Sequence, residues 1–295
     1  MRIDVHAHYW APDYLKCLRE LTGSEFSGRG AGAHFTLDER VPMLREVGID
    51  RQVLSLGTAM PYLRNEADAI KATTLANDSY AQVTRDYDGQ FAGFGAVPLP
   101  HVDAAMREAA RCLDELGMLG IALGCSIGER ALDDAAFEPF WAELSRRNTV
   151  VFLHPIGRCP DPLLMDYDLP AIAGLPAEDT QAALRLILSG VTERHGGLRI
   201  IVPHLGGMLP TLWDRLERRG KSHLVRQLHY DTATCHGAGL VAACQTFGAD
   251  RIMLGTDFPY VIPVSKCVTY VQEAGLSRED TDAILDTNAA RLLGL

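Results

Sequence analysis

Eight short apolar runs, each followed by a stretch of helical spacing, constrain this chain more than any other feature. The runs are 2–5, 52–56, 91–97, 119–124, 149–153, 198–202, 228–231 and 251–255. Apolar residues recur at helical spacing over 38–47, 66–85, 102–116, 135–146, 180–194, 207–219, 238–247 and 265–274, and a last helix is expected over 278–292. Strands buried on both faces read as near-continuous apolar runs, and their alternation with helices marks a parallel sheet. Eight such units in 295 residues point to a single domain over 1–295, a closed (β/α)8 barrel of the TIM type in the α/β class. Periodicity alone also permits an open doubly wound sheet. However, no GxGxxG follows the first run, which removes the main reason to expect a dinucleotide-binding fold. Segment 20–37, with Gly23, Gly28, Gly30 and Gly32, reads as a flexible insertion after the first strand. Residues 156–179, with four prolines, read as a long loop after the fifth.

In such a barrel the reactive side chains stand at the C-terminal ends of the strands. His6 and His8 end the first run, His154 the fifth and His204 the sixth, while Asp257 follows the eighth. Residues two apart on a strand point to the same side, so both imidazoles of His6 and His8 reach one point at the barrel mouth. With His154 and Asp257 they make three imidazoles and one carboxylate. That donor set suits zinc, and manganese or iron less exclusively, with a coordination position left for water or substrate. Barrel hydrolases with two metals commonly bridge them with a carboxylated lysine at the end of the fourth strand. Lys16, Lys71, Lys221 and Lys266 are the only lysines here and none ends a strand, so one ion per chain is expected.

The remaining composition serves to exclude. A net charge of −10 disfavours nucleic acid as a partner, because phosphate binding needs a basic stripe. The local cluster of Arg215, Arg218, Arg219 and Lys221 reads as a solvated helix end that could still attract an anionic substrate. No apolar stretch approaches the roughly 20 residues that span a bilayer. Met1-Arg2 runs directly into IDVHAH without an apolar signal region, so a cytoplasmic chain with no membrane association is expected. Seven single cysteines (17, 112, 125, 159, 235, 244, 267) without a CxxC pair are expected to be free thiols.

These residues resemble the amidohydrolase superfamily. More narrowly, the chain is similar to the branch containing 2-amino-3-carboxymuconate-6-semialdehyde decarboxylase and related aromatic-acid decarboxylases. The stretches that carry the likeness are IDVHAHYW at 3–10, GFGAVPL at 93–99, the segment 108–120, FLHP at 152–155, AGLPAEDT at 173–180, PHLGGMLP at 203–210, YDTA at 230–233, LGTDFPY at 254–260 and the closing TNAARLLGL. The resemblance implies His6, His8, His154 and Asp257 as metal ligands and His204 as catalytic acid–base. It also implies a homodimer, in some members with an arginine crossing into the neighbour's site, and Arg215 matches the position of that arginine. The substrate-gripping arginine that the family carries after its first strand has no secure match; Arg29 and Arg40 are the nearest.

The leading functional expectation is a non-oxidative decarboxylase acting on an unsaturated or aromatic carboxylic acid, a small molecule. Asp257 serves as ligand and proton carrier beside His204. Arg158, Trp10, Tyr62 and Phe258, on loops after barrel strands, are candidates with Arg215 for an anion clamp and aromatic walls. A hydrolase or hydratase that opens a lactone, cyclic imide or amide with the same ion stays open, since it needs no carboxylate clamp. A non-catalytic metal-binding scaffold is the third reading, and loss of His204 or of the open metal position would favour it.

Overall fold

The computed structural model describes residues 1–24, 35–158, 162–233 and 236–295. Gly28, Gly30, Gly32, Arg29, Cys159 and Cys235 lie outside the described residues. All eight expected strands form: β1 (Ile3–His8), β2 (Arg51–Ser55), β3 (Phe91–Gly95), β4 (Gly120–Gly124), β5 (Val150–His154), β6 (Arg199–Val202), β7 (His229–Asp231) and β8 (Ile252–Met253). They pair in parallel in chain order. The segment after β8 closes the ring onto β1: Val5 N donates to Leu254 O at 2.9 Å, His8 N to Phe258 O at 2.8 Å, and Ala7 bridges Phe258. The fold is therefore the expected barrel with its helices.

Burial explains the strands: every residue of β1, β3, β4 and β5 is buried. Phe94 and Phe152 stack across the barrel interior at 5.2 Å, and the ring of His6 meets Phe152 edge-on at 5.0 Å. The metal-capable side chains thus rest on a packed aromatic floor. The helix Glu66–Asp86 buries Ala69, Ala72, Thr73, Ala76, Asn77 and Tyr80, a stripe at helical spacing whose small residues allow close approach to the sheet. Asn65 caps it by accepting from Asp68 N.

Several regions differ from the sequence reading. The helix expected over 207–219 is reduced to a turn at Leu209–Leu212 and a short helix at Trp213–Glu217. A helix at Pro12–Thr22 precedes the insertion; it buries only Tyr14, Cys17 and Leu18 before Gly23 ends it at φ 69°, too short a stripe to stand out. The segment after β5 is not a plain loop. It holds turns at Pro162–Leu164 and Pro170–Gly174, and its helix starts at Leu175 rather than 180. Pro176, which reads as a breaker, sits in the first turn where no backbone donor is needed. The closing helix is divided by a π turn at Ala283–Thr287. Among the described residues no helix is long and apolar enough to cross a membrane, and Cys17, Cys112, Cys125, Cys244 and Cys267 are free thiols.

Candidate metal centre

β1 does not run as a regular strand into the site. Asp4 pairs with Gln52 but Ala7 with Leu54, so one extra residue of β1 is bulged out between them. A bulge re-aims the side chains around it. Asp4 accepts from Gln52 Nε2 at 2.8 Å, Thr256 Oγ1 at 2.6 Å and His6 N at 3.1 Å. His6, within the bulge, and His8, past it, turn their rings to a common point, with Nε2 atoms 3.2 Å apart. Asp257 Oδ1 lies 3.2 Å from His6 Nε2 and 3.0 Å from His8 Nε2. The His154 ring stands 4.6 Å from that of His8 and 5.1 Å from that of His6. One ligand atom from each of His6, His8, His154 and Asp257 falls within 4.8 Å of all the others, and all four residues are buried.

The outer edges of the rings decide whether this group suits a cation. His154 Nδ1 faces the carbonyl of Pro155 at 2.6 Å, and His6 Nδ1 faces Asp231 Oδ2 at 2.9 Å. Both partners are acceptors, so Nδ1 carries the hydrogen and Nε2 turns a lone pair inward. His8 Nδ1 meets Ser55 Oγ at 3.1 Å, which permits the same tautomer. Metal-bound imidazoles are oriented in this way by their second nitrogen. The donor set fits a divalent ion.

Charge agrees with that fit. Burial, the strongest influence, pushes the imidazolium forms of His8 and His154 down, leaving both rings neutral. Burial also works to lower His6, but the carboxylates of Asp231 and Asp257 outweigh it and carry His6 up to about 9, so its Nε2 holds a proton that a bound cation would displace. Burial works to raise Asp257, and the His6 charge with the facing imidazoles of His204, His6 and His8 overrides it, holding the carboxyl well below its usual range. Two carboxylates thus draw positive charge to the point where the ring nitrogens converge.

Space for this packing comes from two glycines. A Cβ on Gly255 would lie 2.9 Å from Asp231 Cβ and 3.0 Å from His6 Cβ. Gly57, at φ 54°, sits where a Cβ would meet the His8 ring at 2.7 Å. Asp257 itself adopts φ 56° and His204 φ 52°, left-handed conformations that cost ~1–3 kcal/mol each in a non-glycine residue. Backbone bonds hold both: Asp257 N donates to His6 O at 2.8 Å, and His204 N to Asp231 Oδ1 at 3.0 Å.

His204 stands beside the four-residue group. Its Nε2 is 3.7 Å from Asp257 Oδ2, and its Nδ1 meets the buried Asp179 Oδ2 at 2.8 Å. Burial alone would lower His204, but the carboxylates of Asp179 and Asp257 raise it well above the ordinary histidine range. Trp10 stacks over His8 with centroids 5.9 Å apart and planes at 16°, its Nε1 donating to Leu56 O at 2.9 Å. Tyr260, absent from the sequence reading, meets His8 edge-on at 5.6 Å and Trp10 at 6.1 Å.

The other expected substrate contacts fall elsewhere. Phe258 is 1% exposed, under the Arg40 guanidinium at 4.6 Å and beside Phe35 at 5.3 Å, so it is packing rather than pocket wall. The Tyr62 hydroxyl accepts from Gly124 N at 2.7 Å and braces the end of β4. Arg158 is bound to the carbonyl of Gly128 and lies 3.7 Å from Glu129, in a groove of about 510 Å³ that none of the four metal-capable residues lines. Arg215 is exposed on the short helix Trp213–Glu217 and forms no ion pair among the described residues. Sequence reasoning also missed Asp231, Asp179 and Ser55. Asp231 was legible as an acid ending the seventh apolar run. Asp179 was hidden in an expected loop, and nothing local marks Ser55.

A profile of the family described as Amidohydrolase matches residues 3–295. The chain is 27% identical over 277 residues to the 2-amino-3-carboxymuconate-6-semialdehyde decarboxylase of Dictyostelium discoideum, covering 88% of this chain and 76% of the relative. It is 31% identical over 281 residues to a 6-methylsalicylic acid decarboxylase of Aspergillus aculeatus, covering 88% and 84%. Among solved structures, a dihydroxybenzoic acid decarboxylase of a Polaromonas species, with manganese and the inhibitor 2-nitroresorcinol bound, superposes with a TM-score of 0.86 at 25% identity, covering 100% of this chain and 97% of that one. With its profile match, its barrel and its strand-end histidines and aspartate, this chain belongs to the amidohydrolase family.

Proposed function

We propose that the chain is a metal-dependent, non-oxidative decarboxylase of an unsaturated or aromatic carboxylic acid, working as one domain. The observation that carries the reading is the pairing of His204 Nε2 with Asp257 Oδ2, 3.7 Å apart, at the edge of a buried donor group. A ligand carboxylate and a free imidazole there can pass a proton to a substrate held beside the cation. The relatives named above decarboxylate acids of this class.

His6, His8, His154 and Asp257 are the proposed ligands, and zinc the proposed ion on the three-imidazole, one-carboxylate set. Manganese is the alternative, because one relative carries it. When bound, such a cation supplies Lewis-acid polarisation of a substrate oxygen. His204 delivers a proton to the carbon bearing the carboxylate. The bond from that carbon to the carboxylate then breaks, its electron pair returns to the conjugated framework, and CO₂ departs, so that a proton has replaced CO₂. Trp10 and Tyr260 offer flat apolar faces to such a framework. Free cysteines favour a reducing, cytoplasmic location.

The test incubates the metal-loaded chain with 2,6-dihydroxybenzoate and 6-methylsalicylate labelled with ¹³C in the carboxyl group. Release of labelled CO₂ is expected, and chelation should abolish it. If no aromatic or muconate-type acid loses CO₂ while lactones, cyclic imides or amides are opened, the decarboxylase reading is replaced by the hydrolase one.

A further inference from the structure

Asp179 is fully buried, and one of its oxygens lies 2.8 Å from His204 Nδ1. Its other oxygen accepts from the thiol of Cys125 at 3.4 Å. The two residues belong to segments pinned together by the next side chain: Thr180 Oγ1 donates to Pro176 O at 2.7 Å and accepts from Met208 N at 2.8 Å. The approach is so close that a Cβ on Gly207 would fall 2.2 Å from Pro176 O. Asp179 and His204 therefore cannot drift apart without breaking the docking of the helix Leu175–Leu188 against the turn after β6.

An ionised carboxylate only accepts hydrogen bonds. Facing Nδ1, it admits the ring only with a hydrogen on that nitrogen, and Nε2 becomes the atom that gains and loses protons. Nε2 is also the atom on the Asp257 side. We infer that Asp179 is a positioning residue that fixes the tautomer and direction of His204, making the two a carboxylate–imidazole dyad. The inference rests on the reading of His204 as the proton-transfer group. Asp179 touches no reacting atom; it acts through the imidazole.

The variant is Asp179→Asn, which keeps shape and burial but can turn an amide N–H toward Nδ1 and reverse the tautomer. In zinc-loaded, ¹⁵N-histidine-labelled protein, wild type should show a hydrogen-bonded Nδ1 proton on His204, assigned by its loss in His204→Asn. That signal should vanish or move in Asp179→Asn while bound zinc stays unchanged. With 2,6-dihydroxybenzoate as probe, kcat should fall on the order of 10²-fold or more, with KM changed by less than about threefold. An unaltered Nδ1 signal, or a kcat within about twofold of wild type alongside a lower Tm, would make Asp179 merely structural. A neutral Nε2–H tautomer in wild type would overturn the proposal however the variant folds. Absence of turnover in wild type would count against the decarboxylase reading alone, because the resonance still decides the dyad.

Discussion

At the residue scale, ligands and proton carrier should separate cleanly. His6→Ala and Asp257→Ala each delete a donor at the convergence point, so both should lose most of the bound metal by elemental analysis, against about one ion per chain in the parent. Two tightly held ions per chain would contradict the single site. His204→Ala should keep its metal and lose on the order of 10²-fold in rate, the scale of general acid–base work; metal loss in that variant would make His204 a ligand instead. Asp231 joins the two groups, since its carboxylate takes His6 Nδ1 at 2.9 Å and the backbone N–H of His204 at 3.0 Å. Asp231→Asn should therefore weaken metal binding about 10- to 100-fold, the usual consequence of disturbing the group behind a ligand histidine. Unchanged metal affinity in a competition assay would show that Gly255 and the bulge orient His6 without it.

At the scale of elements, β1, β7 and the segment after β8 behave as one unit. β1 contributes two of the proposed ligands, β7 the aspartate behind one of them, and the closing segment the carboxylate residue whose backbone bonds back to β1. His229, at the start of β7, gives this unit a pH signature. Burial, aided by the charge of Arg251, depresses it to about 4 from the ordinary histidine value of 6.5. Between those values the unfolded chain binds the proton and the folded chain does not. Stability should rise with pH across this window and be lost as pH falls from about 6.5 through 4. Urea unfolding at a series of pH values should flatten in that window for His229→Gln. An identical slope in parent and variant would assign the acid sensitivity to other groups.

At the scale of the whole molecule, the proposed acidic substrate would have to be held by an acidic chain, and a net charge of −10 makes a dedicated local cation necessary for it. Arg158 is engaged by Gly128 and Glu129, whereas Arg215 is exposed on the short helix after β6. We therefore propose a homodimer in which Arg215 serves the site of a second copy. Arg215→Ala should weaken use of an aromatic acid by about tenfold or more, roughly 1.4 kcal/mol, with the metal content unchanged. Mixing Arg215→Ala chains with inactive His204→Ala chains should restore activity in hybrid dimers, whose intact arginine faces an intact histidine. Failure of that complementation, together with a monomeric mass in solution, would return the clamp to residues of the same chain.

Sequence alone determined the barrel and its four convergent side chains, because both follow from short-range rules. Two-sided burial makes each strand a recognisable apolar run, and a parallel barrel exposes reactive residues only where those runs end, so His6, His8, His154, His204 and Asp257 could be read in order. Residues whose meaning depends on a distant partner could not be read. Phe258 looks like a pocket wall until the ring closure buries it beneath Arg40. Tyr62 looks like a substrate contact until β4 claims its hydroxyl. Asp179 lies behind a proline that resembles a loop signal but starts a helix. The tertiary structure decided these because a hydrogen bond between residues 25 or 225 positions apart, as in Asp179–His204 and His6–Asp231, leaves no period in the chain.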